Sequence, residues 1–75
     1  MKLPRINAEK MIGVVERCGF FLTRQSGSHR IYRNKKGKRI TIPYHSGKIL
    51  HPKLVSSILN DLEITPDEFR ALLKD

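Results

Sequence analysis

The residue with the clearest capacity for chemistry is a histidine in the stretch Gln25–Tyr32, whose sequence is QSGSHRIY. His29 follows the small, flexible pair Gly27-Ser28 and precedes residues that are typical of a strand. An imidazole accepts or donates a proton near neutral pH, so His29 is a candidate general base or general acid. The alternative is a histidine that only packs and hydrogen-bonds to backbone.

The spacing of the remaining candidate ligands gives little support to metal or triad chemistry. Two further histidines, His45 and His51, and the single cysteine, Cys18, are scattered along the chain, and no acidic residue is near any histidine in sequence. A zinc site needs four ligands, usually in closely spaced pairs, and a catalytic triad needs an acid. We therefore expect no metal and no cofactor. Cys18 cannot form an internal disulfide and is interpreted as a core residue.

The distribution of charge indicates an anionic partner. The chain has 15 Lys and Arg against 7 Asp and Glu, which gives a net charge of +8. No acid lies between Arg17 and Asn60. The cations of that interval are Arg17, Arg24, Arg30, Arg33, Lys35, Lys36, Lys38, Arg39, Lys48 and Lys53. Phosphates favour clustered cations through counterion release, so nucleic acid is the first candidate, and a solvated basic face without a specific partner is the alternative.

RNA cleavage is the reaction that best suits one histidine on a basic surface. The ribose 2′-hydroxyl is the nucleophile, so the protein has only to move protons and to stabilise charge on the phosphorus. Gly27 would let a phosphodiester approach the backbone, and Ser28 offers a hydroxyl donor. Arg24 and Arg30 flank His29. On the residues alone, this role and a purely structural role for His29 stay equally open.

Apolar periodicity and capping residues predict three helices. Asn7 is placed to cap the first helix, and Gly19 to end it in a left-handed conformation. Pro52 suits the first position of a second helix. Thr65 and Glu68 form a capping box for a short third helix. The residues expected to face the core from the helices are Met11, Ile12, Val15, Cys18, Leu54, Val55, Ile58, Leu59, Leu62, Phe69, Leu72 and Leu73.

The middle of the chain predicts three strands. Residues 20–24, 28–33 and 39–43 are rich in aromatic and β-branched residues, and turn signals separate them at 26–27 and 34–38. The predicted order is α-β-β-β-α with a short C-terminal helix. Three antiparallel strands with helices packed on one face define a two-layer α+β fold.

The strand pattern also gives expectations for where the histidines lie. Alternation places His29 on the same face of its strand as Ile31, and we expect that face to be covered by the helices, with His29 partly sheltered at its edge. His45 follows the third strand and would approach His29 across the sheet edge, either as a second catalytic imidazole or as a loop residue bonded to backbone. His51 is interpreted as a surface or capping residue.

The length of 75 residues predicts one domain over residues 1–75. No apolar run is long enough to cross a membrane, and the N-terminal residues do not form a signal peptide. The expected location is the cytoplasm.

Three stretches together resemble the HicA family of toxins. They are GFFLTRQSGSHRIYRN, RITIPYHSGKIL and LVSSILNDLEIT, and they span most of the chain. The most specific pieces are Gly19-Phe20, Arg24-Gln25, Gly27-Ser28-His29, Pro43-x-His45 and Gly47-Lys48. HicA proteins are small mRNA interferases of type II toxin–antitoxin systems.

The resemblance implies a fold like that of double-stranded-RNA-binding domains and a metal-independent endoribonuclease that cleaves mRNA and arrests growth. It places the catalytic residue at His29 and implies a HicB-type antitoxin that covers the site. The RNA-binding candidates are Arg24, Gly27, Ser28, Arg30, Arg33, Lys35, Lys36, Lys38, Arg39 and Lys48, with His45 as a secondary site residue. A non-catalytic RNA-binding module is the alternative function, and a DNA-binding role is a weaker one because the second helix carries few basic or amide side chains.

Overall fold

The computed structural model describes residues 3–74. The elements are α1 (Ala8–Arg17), β1 (Phe21–Ser26), β2 (His29–Arg33), β3 (Arg39–Pro43), α2 (Pro52–Leu62) and α3 (Pro66–Lys74). The strands form one antiparallel sheet in the order β1-β2-β3. The predicted α+β order is therefore confirmed.

Helix α1 begins and ends as its sequence predicts. The side chain of Asn7 accepts a hydrogen bond from the Lys10 N–H at 2.9 Å, which satisfies one of the free donors of the first turn. At the other end Gly19 has a φ of 89°, and its N–H donates to the carbonyl of Glu16. This left-handed glycine turns the chain out of α1 and directly into the sheet.

The first strand begins one residue later than the pattern predicts. The N–H of Phe20 bonds to the carbonyl of Val15 at 3.0 Å, and both side chains are buried. Phe20 therefore belongs to the C-terminal motif of α1, where such an apolar contact is usual. The strand then extends to Ser26, beyond the predicted end at residue 24.

The core lies between the helices and one face of the sheet. Tyr32, Ile40 and Ile42 supply the buried side chains of the sheet. The buried side chains of the helices are Ala8, Met11, Val14, Val15, Val55, Ile58, Leu59 and Phe69. Ile6 and Leu50 close the layer, and the N–H of Leu50 donates to the carbonyl of Ile6 at 2.8 Å.

Helix α3 carries the capping box that its sequence predicts. The N–H of Thr65 donates to Oε1 of Glu68 at 2.8 Å, and the N–H of Glu68 donates to Oγ1 of Thr65 at 3.1 Å. Phe69, in the first turn, is fully buried. Because Arg17 also donates to the carbonyl of Leu72 at 3.0 Å, α3 is joined to α1 as well as to the core.

Helix α2 begins at a histidine cap. Nδ1 of His51 accepts a hydrogen bond from the Lys53 N–H at 3.0 Å, and Pro52 occupies the first helical position. The interpretation of His51 as a capping residue is confirmed, so this histidine has a structural role.

Replacing His51 with alanine is expected to lower the free energy of unfolding by about 1 kcal/mol, because a free donor of the first turn then loses its acceptor. In a domain of this size that corresponds to a fall in Tm of about 4–8 °C, measured by thermal circular dichroism. His51→Asn keeps a side-chain acceptor at the cap and is expected to retain most of the stability. Equal melting temperatures for the wild type and His51→Ala would contradict the capping role.

Candidate nucleic-acid interface

The sheet presents one face away from the helices, which we call the open face. Cross-strand pairing arranges its side chains in three rows. The rows are Phe21–Arg33–Arg39, Arg24–Ile31–Thr41 and Ser26–His29–Pro43. Of these nine residues, Ile31 and Pro43 are half-buried and the others are exposed. The open face is therefore a solvated surface that carries cations and a histidine.

The expectation that His29 lies on the helix-covered face is wrong. His29 is exposed on the open face, and the covered face of β2 is formed by Arg30 and Tyr32. Each face of this strand has one apolar residue, Ile31 on one face and Tyr32 on the other. Alternation within β2 therefore does not show which face is buried. The decision comes from β3, because Ile40 pairs with Tyr32 and both side chains are buried.

The imidazole of His29 has no structural role that the geometry reveals. Within residues 3–74, its side chain makes no hydrogen bond and no ion pair, whereas the side chain of His51 caps α2. The side chain of His29 is exposed and is therefore accessible to a ligand. The structure thus shows no contact of the His29 side chain comparable to the cap that His51 provides.

A tight turn fixes His29 at the end of the central strand. Ser26 pairs with His29, so only Gly27 and Ser28 connect the two strands. Gly27 has a φ of 57°, as a type II′ hairpin turn requires at its first central position. A Cβ at Gly27 would meet nothing within 4 Å, so backbone conformation, and not crowding, is what calls for glycine here.

Cations lie at two distances from His29 on the open face. Arg24 pairs with Ile31, the next residue of β2 on the same face, and this diagonal is about 7–8 Å between backbones. Arg33 and Arg39 pair with each other four residues further along β2, roughly 13 Å from His29 at the usual rise per residue. The face therefore presents positive charge along its length, with the histidine at one end.

Arg30 does not join this surface. It lies on the covered face, where its guanidinium carbon is 3.9 Å from the centre of the Tyr44 ring. Its Nε is buried and has no hydrogen-bond partner among the described residues. The cation–π contact holds Tyr44 against β2. Arg30 is therefore a candidate for positioning the loop that follows β3, and its guanidinium is not aligned with the open-face arginines.

The loop after β3 brings His45 and Lys48 to the same end of the sheet as His29. The Tyr44 N–H donates to the carbonyl of Ser28 at 2.6 Å, which continues the β2–β3 pairing by one residue. His45 follows directly and is exposed. Its carbonyl accepts the Lys48 N–H at 3.0 Å, so the backbone of His45 shapes this loop while its imidazole makes no hydrogen bond within residues 3–74.

The remaining predicted cations lie at the opposite end of the sheet. Lys35, Lys36 and Lys38 are exposed in the β2–β3 hairpin loop. Oδ1 of Asn34 accepts the N–H groups of Lys36 at 3.1 Å and Lys38 at 2.9 Å, which gives the loop a defined shape. An open groove beside this loop is lined by Cys18, Gly19, Asn34, Lys35, Lys36, Lys38 and Glu63.

Cys18 behaves as a packing residue. It is half-buried against the core, as the sequence predicts. Burial, with a smaller contribution from the carboxylate of Glu68, raises the pKa of its thiol. Because the thiolate is the reactive species, Cys18 is a poor nucleophile at neutral pH. Among residues 3–74, no group of three His, Cys, Asp or Glu side chains is close enough to hold a metal ion.

Three residues near the candidate site were not singled out from the sequence. Ser26 lies directly across from His29, Thr41 lies across from Ile31, and Tyr44 packs on Arg30. The two-residue turn Gly27-Ser28 would have indicated Ser26, because such a turn pairs its flanking residues. The other two require the register of β3, which the sequence pattern does not fix.

The fold and the site define a small, basic α+β domain that exposes a histidine on a cation-lined sheet. A model of the family described as HicA toxin of bacterial toxin–antitoxin systems matches residues 8–64, and the chain belongs to this family. A search of curated proteins gives no match. None of the helices among residues 3–74 is both long and apolar enough to span a membrane.

Proposed function

We propose that this chain is the toxin of a type II toxin–antitoxin system and acts as a metal-independent endoribonuclease on mRNA in the cytoplasm. Membership of the HicA family supports the toxin role. The observation that carries the activity is His29: an exposed imidazole without a structural partner, at the end of a sheet face that bears three arginines. RNA is the substrate class because it brings its own nucleophile to such a surface.

In the proposed reaction His29 acts on the proton of the ribose 2′-hydroxyl. The 2′-oxygen forms a bond to the adjacent phosphorus as the bond from phosphorus to the 5′-oxygen breaks, which leaves a 2′,3′-cyclic phosphate and a 5′-hydroxyl. The leaving 5′-oxygen takes a proton from water or from His45, the second imidazole at this end of the sheet. Arg24, Ser28 and Lys48 are assigned to stabilise the developing negative charge.

Substrate binding is assigned to the two remaining groups of cations. Arg33 and Arg39 bind the RNA backbone along the open face, and the hairpin lysines Lys35, Lys36 and Lys38 extend this contact at the far end. Gly27 lets the strand approach closely beside His29. Arg30 acts indirectly, through its stacking on Tyr44.

Removing both Arg33 and Arg39 is expected to weaken RNA binding and to make it less dependent on salt. For single strands the slope of log K against log [salt] is about 0.7 per neutralised phosphate, so two lost contacts lower its magnitude by about 1.4. The measurement is fluorescence anisotropy with a 2′-O-methyl RNA, which lacks the free hydroxyl and stays intact.

The matched control is the double variant Lys10→Ala and Lys74→Ala. It removes the same formal charge from exposed positions of α1 and α3, away from the open face. Its slope is expected to stay close to that of the wild type. An equal fall in both double variants would mean that binding follows net charge alone, and the assignment of Arg33 and Arg39 would be wrong.

The rival function is a non-catalytic RNA-binding module, since the same basic face would serve it. Labelled RNA incubated with the protein separates the two functions, because a binding module returns the RNA intact.

We further propose that a HicB-type antitoxin neutralises the toxin. Its acidic groups would compensate the open-face cations, and its binding is expected to raise Tm and to block cleavage.

A further inference from the structure

We infer that the free edge of β1 is a docking strand for an extended, acidic protein segment, which adds a fourth strand to the sheet. Within residues 3–74, β1 is paired on one side only, with β2. All six of its residues are exposed. A free edge presents unpaired backbone N–H and C=O groups, and strand addition uses these groups for affinity.

Large apolar side chains are exposed on this strand more than elsewhere among the described residues. Three large apolar side chains are exposed among the described residues, and two of them, Phe21 at 50% and Leu22 at 48%, are neighbours on β1. Phe21 lies on the open face, whereas Leu22 pairs with Tyr32 and points to the helix side. An added strand would contact both, because its own side chains alternate between the two faces.

The charge of the chain selects an acidic occupant. The net charge is +8, and Arg24 projects from β1 itself. A second copy of this chain would bring another net charge of +8 against this strand, and like charges across paired strands are destabilising. An added strand that carries glutamate or aspartate beside Arg24 would instead be attracted to β1.

Contact on both faces of β1 distinguishes a protein strand from RNA. An RNA strand bound to the open face would stack a base on Phe21 and leave Leu22 untouched. The inference rests on the proposed function for the identity of the partner, which is the neutralising protein. The binding measured below does not depend on RNA cleavage, so failure of either claim can be recognised separately.

The test uses two synthetic peptides as probes. One alternates glutamate with valine over eight residues, and the other has the same side chains with alternate backbone amides N-methylated. We expect the first peptide to slow hydrogen exchange at β1 amides and the second to bind about tenfold more weakly, since it has lost several hydrogen bonds. Leu22→Ser is expected to weaken binding of the first peptide about fivefold.

Ile49→Ser is the matched control, because Ile49 is the third exposed apolar residue, at 55%, and lies outside the sheet. It is expected to bind the first peptide as the wild type does.

Equal binding of both peptides, or no added protection at β1, would overturn the inference in favour of plain charge attraction. A dimer of the free protein that Leu22→Ser dissolves would overturn it in favour of a second copy. Weaker RNA binding in Phe21→Ser with unchanged peptide binding would overturn it in favour of RNA.

Discussion

Replacing His29 with alanine is expected to reduce the rate of RNA cleavage by about 10²–10⁴-fold, the usual contribution of a positioned proton-transfer group. The fold should be unaffected, because His29 is exposed and its side chain makes no hydrogen bond within residues 3–74. Surface substitutions of this kind change stability by no more than about 0.5 kcal/mol. The measurements are the initial rate of cleavage of a labelled RNA and the thermal melt of the same preparation.

His51→Asn is the matched control for this experiment. It removes an exposed imidazole elsewhere on the surface and keeps an acceptor for the Lys53 N–H at the start of α2. Its cleavage rate is expected to equal that of the wild type. A His29→Ala protein that melts normally and cleaves RNA at the wild-type rate would remove His29 from the proposed reaction.

The second large expected effect is a loss of stability. It concerns Phe69, which lies outside the region that the family model matches. Phe69→Ala is expected to lower the free energy of unfolding by about 3–5 kcal/mol, because the side chain is fully buried and its loss leaves a cavity. Small domains have only about 5–15 kcal/mol in total, so the variant should be close to unfolding. Urea titration followed by circular dichroism measures the change.

Phe69 belongs to α3, whereas the family match ends at residue 64. The expected result therefore says that α3 is part of the same folding unit as the matched region. Ala71→Ser, an exposed substitution in the same helix, should change stability by less than about 0.5 kcal/mol. If Phe69→Ala were no less stable than Ala71→Ser, α3 would be dispensable for the fold.

Most helix boundaries were predictable because capping is local. Asn7, Gly19, Pro52 and the pair Thr65–Glu68 act within a few residues of their own positions, and all of them do what the sequence predicts. The end of α2 shows the limit. Glu63 takes a left-handed conformation with a φ of 58°, although glycine is the residue that usually marks such a position.

The face on which His29 lies was not predictable from its own strand. In β2 the pattern is balanced between Ile31 and Tyr32, and the tertiary pairing of Tyr32 with Ile40 decides which one is buried. The position of Arg30 was unpredictable for the same reason. Arg30 stacks on Tyr44 because the two residues share the covered face. Local alternation shows which residues share a face of β2, but only the register between strands shows which of the two faces is exposed to solvent.

The most direct test of the proposed reaction compares RNA with its 2′-O-methyl analogue. Each labelled oligonucleotide is incubated with the purified protein, with and without an excess of metal chelator, and the products are resolved by length and end group. The expected result is cleavage of the RNA to 2′,3′-cyclic phosphate ends, with the analogue intact. Intact RNA, cleavage of the analogue, or cleavage that the chelator abolishes would contradict a metal-independent reaction that uses the 2′-hydroxyl.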